Sequence, residues 1–89
     1  MQNPSLKNLQ TIPGVGKSVA ANLLAIGIRK VSDLKGKDPE VLYKKSNKVA
    51  GTIQDPCLLY VFRCAVYFAS EKDPKPDLLK WWNWKDKRQ

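Results

Sequence analysis

Histidine is absent from this chain and cysteine occurs twice. Without histidine, the commonest general base and a common metal ligand are both missing. Cys57 and Cys64 stand seven positions apart in one apolar run, which on a helix separates them by about 10 Å. Disulfide-linked Cα atoms lie within about 7 Å, so an intrahelical bridge is excluded. Two thiols alone do not complete a zinc site, and both cysteines are read as buried structural residues. The acidic residues form no DxD or ExxE group, and neither cysteine has a base partner. No catalytic constellation and no metal site is predicted, so the chain reads as a binding module and not an enzyme.

Long apolar runs are also missing. The longest, residues 57–69, is interrupted by Arg63 and falls short of the roughly 20 residues that a bilayer demands. The opening MQNPSLKNLQ lacks the basic and then apolar order of a secretion signal. A soluble, cytoplasmic protein with no membrane partner is expected. At 89 residues it should be one domain. A chain of this size buries only about 60–65% of its unfolded surface and needs all its large apolar residues.

Positive charge is abundant: 16 Lys/Arg stand against eight Asp/Glu, a formal +8. Residues 1–50 hold nine Lys/Arg and three Asp/Glu, whereas residues 51–89 hold seven and five. The first half therefore carries most of the excess and should attract polyanions in a salt-dependent way.

That half also holds the most informative stretch, LQTIPGVGKSVAANLL, at residues 9–24. Leu6, Leu9 and Ile12 repeat at near-helical spacing, and Pro13 lacks the N–H a continuing helix needs, so a helix should stop near Gln10. Gly14 and Gly16 allow positive φ on both sides of Val15, and a second helix should start near Lys17. Its free amides, its dipole and the Lys17 charge form an anion site, with the amide and hydroxyl of Ser18 beside them. Ala20 lets two helices approach closely, and Val15 fills the gap between them. Gly16-Lys17-Ser18 also ends a nucleotide-binding P-loop, but that motif requires glycine where Thr11 stands and a preceding β-strand, so it is rejected.

Apolar Leu9 and Ile12, then Gly14-Val15-Gly16, Ala20 and Leu24, resemble the helix-hairpin-helix motif. The resemblance implies contact with DNA phosphates, and a candidate monovalent cation held by the hairpin carbonyls, as in some relatives of the motif. A shift of 22 residues places Leu6 on Ile28, Leu9 on Val31, Ile12 on Leu34 and Gly14 on Gly36. Residues 5–27 are thus read as a first hairpin unit and 28–51 as a degenerate second one, with chance repetition the competing reading. In the second copy Asp38 replaces Gly16 and should weaken phosphate binding, while Lys35 and Lys37 offset it. Asp38-Pro39-Glu40 is nevertheless a good helix start, and Gly51 a good stop. Lys44, Lys45 and Lys48 extend the charge as a DNA-facing stripe or as a solvated helix face.

Asp55-Pro56 opens a helix that is apolar nearly all round, so residues 55–71 are read as a central buried helix. Arg63 within it should reach solvent, pair with Asp55, Asp77 or Asp86, or contact phosphate. KDPKP forms a connector, followed by an amphipathic helix at residues 77–86. Its three tryptophans could stack on bases, but packing is the better account: Leu78 and Trp82, four apart, should close the core, leaving Trp81 or Trp84 on the surface.

IPGVGKSVAANLLAIGI, VSDLKGKDPEVLY, CLLYVFRCAVYFA and KWWNWKD together resemble the small bacterial "pathogenicity locus" proteins, also labelled mitomycin resistance proteins. The resemblance implies an all-α helix-hairpin-helix domain with an expected DNA-binding role and no assigned activity. The combined expectation is a tandem helix-hairpin-helix fold, five or six short helices in all, binding DNA, mainly duplex, without base specificity. The candidate phosphate-binding residues are Pro13, Gly14, Val15, Gly16, Lys17 and Ser18, with Lys35, Lys37, Lys44, Lys45 and Lys48 as a second contact. The alternative is a protein-interaction module or adaptor of a DNA repair or replication complex.

Overall fold

A computed structural model describes residues 4–85, and over that span the chain is all-helical. Four α-helices, α1 (Pro4–Leu9), α2 (Lys17–Ala25), α3 (Pro39–Ala50) and α4 (Pro56–Ser70), are accompanied by 3₁₀ turns at Val31–Leu34, between α2 and α3, and at Pro76–Leu79 and Trp81–Trp84, after α4.

Short-range chemistry explains most of the boundaries. After α1 the chain tightens into three-residue hydrogen bonds, Thr11 N to Asn8 O at 3.1 Å and Ile12 N to Leu9 O at 3.2 Å, and Pro13 then has no amide to carry the ladder on. Asp38 caps α3 by accepting from Glu40 N at 2.9 Å, with Pro39 in the first turn. Asp55 caps α4 in the same way, accepting from Cys57 N at 2.9 Å. Gly51 ends α3 in the left-handed region at φ 74°. Beyond it, Gln54 ties the loop to α3: its side-chain amide donates to Ser46 Oγ at 2.8 Å and Asn47 Oδ1 at 3.1 Å, which satisfies the buried Ser46 hydroxyl.

α4 is the centre of the domain. Leu58, Val61, Phe62, Cys64, Ala65 and Val66 are buried in it, and α3, the Val31–Leu34 turn and both tail turns pack around it. α1 and α2 lie together, with Leu9, Ile12, Val15, Ala20 and Leu23 joining the same core. Each fully buried leucine contributes about 1.5–3 kcal/mol through area removed from water.

Four expectations are corrected at residue level. The tail is two 3₁₀ turns and not one amphipathic helix, because side chains capture the carbonyls a helix would use. Trp84 Nε1 donates to Leu78 O at 2.7 Å, and Asn83 Nδ2 to Asp77 O at 2.7 Å. Consequently Trp84 is buried, Trp81 half-buried and Trp82 57% exposed, so Trp84 takes the core position expected of Trp82. Cys57 is exposed, as the second residue of α4 lies at the rim of the core, while Cys64 is buried. Arg63 is buried with neither Asp55 nor Asp77 as partner: it donates to Trp84 O at 2.9 Å, reaches Glu40 Oε1 at 3.6 Å and lies 5.6 Å from the centre of the Tyr60 ring. Asp86, the third carboxylate considered, lies outside the described residues.

Candidate nucleic-acid interface

The turn between α1 and α2 is set by two backbone features. Gly14 takes φ 84°, and Val15 N closes the turn on Ile12 O at 3.0 Å. Val15 itself is buried and anchors the turn from below. Gly16 departs from expectation: at φ −93° and ψ −170° it is extended backbone, the N-cap of α2, and needs no left-handed conformation. Only one sharp reversal is required here, and Gly14 makes it.

The consequence lies at the start of α2. Its first helical bond runs from Ala20 N to Gly16 O at 3.0 Å, and Gly16 has no side chain to cap the amides before it. Among the described residues, the amides of Lys17, Ser18 and Val19 make no hydrogen bond. α3 and α4 each have an aspartate carboxylate at the corresponding place. α2 also has no acidic residue in its first turn. Of the three longer helices it alone offers open donors, a partial positive dipole and exposed Lys17 and Ser18 that no described residue neutralises.

The second turn repeats the first in backbone and differs in charge. Gly36 takes φ 75°, Lys37 N bonds Leu34 O at 3.0 Å, and Leu42 N bonds Asp38 O at 3.1 Å. Each is the equivalent, 22 residues on, of a bond in the first turn. At the start of this helix, however, Pro39 has no N–H to offer and Glu40 N is taken by the Asp38 carboxylate, which supplies a negative charge from within. Lys37 and Lys45 line one cleft of about 400 Å³ with Gly36, Val41 and two carboxylates, Asp33 and Asp38. Lys35, Lys44 and Lys48 are exposed but do not line that cleft. The six residues of the first turn are contiguous, and of the five lysines Lys37 and Lys45 share this cleft while Lys44, Lys45 and Lys48 lie on α3.

Some relevant residues are not signalled by the motif. Asn8 Oδ1 accepts from Val31 N at 2.9 Å and ties α1 to the Val31–Leu34 turn. Arg29 and Lys30 line an open cleft with Asn8 beside α1. Trp81 lies against Gly14 so closely that an added Cβ there would meet its Cδ1 at 3.0 Å. The adjacent cations were visible as a pair in the α2–Val31 loop, but the tryptophan contact spans 67 positions and carried no local signal.

For a monovalent cation, Ile12 O and Gly16 O each accept one amide, whereas no hydrogen bond to the carbonyls of Pro13, Gly14 and Val15 is formed among the described residues, which makes those three the freer candidate ligands. Among the described residues no group of three or more His, Cys, Asp or Glu side chains is placed to hold a metal. Cys64 is held by burial with its thiol pushed up to about 11, and it donates to Leu78 O at 3.5 Å. Its neighbour Asp55 raises the Cys57 thiol as well, chiefly through a side-chain hydrogen bond.

These features define a small all-helical domain in which the first amides of α2 have no acceptor among the described residues. The chain belongs to the pathogenicity locus (Cdd1) family, which it matches over residues 2–89. It is also 34% identical over 82 residues to the "mitomycin resistance protein McrB" of Streptomyces lavendulae, an alignment covering 92% of this chain and 74% of that protein. No solved structure matches the chain. No helix among the described residues is long and apolar enough to cross a membrane.

Proposed function

We propose that this protein is a DNA-binding module of the helix-hairpin-helix type, degenerate in its second copy, that grips backbone phosphate without reading sequence. The observation that carries the proposal is the uncapped start of α2, set beside the aspartate caps of α3 and α4. A phosphate oxygen supplies what those aspartates supply: an anion that accepts the first-turn amides and opposes the dipole. Pro13, Gly14 and Val15 shape the turn, Gly16 leaves room, and Lys17 and Ser18 add a charge and a hydroxyl donor. Lys35, Lys37, Lys44, Lys45 and Lys48 contribute as secondary cations, Lys37 and Lys45 from one shared cleft.

Contacts of this kind position a protein on nucleic acid and carry no base information. The reading is of a binder acting in the cytoplasm, not of an enzyme, and a cation on the turn's carbonyls would add charge without altering the contact. Titration of a labelled duplex tests it: affinity should fall log-linearly with salt, at a slope of about −0.9 per phosphate neutralised. Salt-independent binding, or no binding at low salt, would reject the proposal.

The exposed apolar residues Val49 (61%) and Ile53 (83%) favour a second reading, a protein-interaction module within a repair or replication complex. Co-purification of one stoichiometric protein partner, with no DNA retained at low salt, would select it.

A further inference from the structure

Trp82 turns its indole to solvent, 57% exposed, although its neighbour Trp84 is buried in the core. It is not a loose surface side chain. Its ring meets Trp81 edge-on, with centroids 5.8 Å apart and planes at 84°. Trp81 in turn lies against Gly14, in the turn that opens the α2 amides. Arg63 fixes the same tail segment by donating to Trp84 O at 2.9 Å, and Trp84 Nε1 fixes it again through Leu78 O at 2.7 Å. The exposed indole is therefore held one ring away from Gly14 in the turn that leads into α2, with Lys80 and Lys85 exposed on either side of its short segment.

We infer that Trp82 is a stacking platform for an unpaired base of the strand whose phosphate sits at the start of α2. The preferred ligand is then single-stranded DNA, or a duplex with a single-stranded overhang, over a closed duplex. This deepens the phosphate-binding reading and rests on it. An aromatic face in a basic setting suits any unpaired base, because every base has a π-face. Bases inside a duplex are already stacked on one another and offer none. The flanking lysines and the formal charge of +8 disfavour a second copy of this chain on the same ring, since like charges would meet.

The test uses the full chain, its Trp82→Ala, Trp82→Phe and Gly16→Asp variants, a labelled single strand and a labelled dumbbell duplex closed at both ends. Trp82→Ala should weaken single-strand binding about 5- to 150-fold, the fold-change that a base–aromatic stack of about 1–3 kcal/mol corresponds to. Dumbbell binding should change less than about twofold, and Trp82→Phe should recover most of the single-strand affinity. Gly16→Asp should weaken both ligands. Unchanged single-strand binding by Trp82→Ala, or equal losses on both ligands, would overturn the stacking inference while leaving the hairpin reading intact. Insensitivity of both ligands to Gly16→Asp would remove the hairpin reading instead. A wild-type sedimentation mass of two chains that falls to one in Trp82→Ala would assign the ring to self-association and also overturn the inference.

Discussion

Aspartate at Gly16 should make the protein more stable and a poorer ligand for DNA, two effects of opposite sign from one carboxylate. The site accepts the side chain: φ −93° is ordinary extended backbone, and an added Cβ meets nothing within 4 Å. The expected geometry exists twice in the same chain, where Asp38 and Asp55 each accept the amide two residues on at 2.9 Å. At Gly16 the acceptor would take the amide of Ser18 and oppose the α2 dipole, contributing a few tenths to about 1 kcal/mol over glycine. For a domain of this size that raises Tm by about 2–6 °C. Binding moves the other way, because the carboxylate fills the place of the phosphate. Loss of one charge-assisted hydrogen bond, about 1.5–3 kcal/mol, corresponds to a roughly 10- to 150-fold rise in Kd. Thermal melting and fluorescence anisotropy with a labelled duplex at fixed salt read the two effects separately. A variant that melts higher yet binds DNA within about twofold of the original would refute the reasoning, since the donors would be occupied without consequence. A lower Tm would show that the N-cap assignment itself is wrong.

Other perturbations bear on the same structure. Lys17→Ala should weaken duplex binding several-fold and flatten the salt dependence by about one unit of slope, the mark of one lost phosphate contact; an unchanged slope would move Lys17 off the interface. Trp84→Ala removes a buried indole that bonds Leu78 O and packs on Tyr67 at 5.4 Å, and it should cost about 3–5 kcal/mol, enough to lower Tm by 12 °C or more by about 4 °C per kcal/mol. A loss under about 1 kcal/mol in that variant would contradict the burial argument. In the native protein a maleimide should label Cys57 alone, with Cys64 reacting only after unfolding, which intact-mass spectrometry resolves. Because burial raises the Cys64 thiol from 9.0 to about 11, the fold binds that proton more tightly than the unfolded chain, so this contribution to stability is complete below about pH 9 and is lost as pH rises towards 11. Denaturant midpoints that hold steady across that alkaline interval in wild type, or that fall equally in Cys64→Ala, would contradict it.

The parts of the fold legible in the sequence are those set by neighbours in the chain. Pro13, Asp38-Pro39, Gly51 and Asp55-Pro56 mark starts and stops through missing amides, carboxylate caps and a left-handed glycine, and the helices keep to those marks. What was hidden depends on contacts between distant positions. Spacing alone does not distinguish a glycine serving as an extended N-cap from one in a left-handed turn, so Gly16 was misread while Gly14 was not. Helical spacing assigns Trp82, four residues after Leu78, to the core only if the tail is one continuous helix, and it is not. The order of the three tryptophans inside and outside is decided by Arg63 reaching the Trp84 carbonyl and by Leu78 O accepting both an indole and a thiol. Glu40 was no more conspicuous than other acids, and only the packing of α3 on α4 brings it to Arg63. At the candidate site, the contiguous turn at residues 13–18 was readable from its letters, whereas the cleft shared by Lys37 and Lys45 required the fold.

The most direct measurement is the response of individual backbone amides when duplex DNA is added to isotopically labelled protein. The account predicts that the Lys17, Ser18 and Val19 amide resonances shift strongly and saturate together, while those of Glu40 and Cys57, already bonded to Asp38 and Asp55, move little. Shifts centred on Val49 and Ile53 with the α2 start unaffected, or no shifts at low salt, would contradict it.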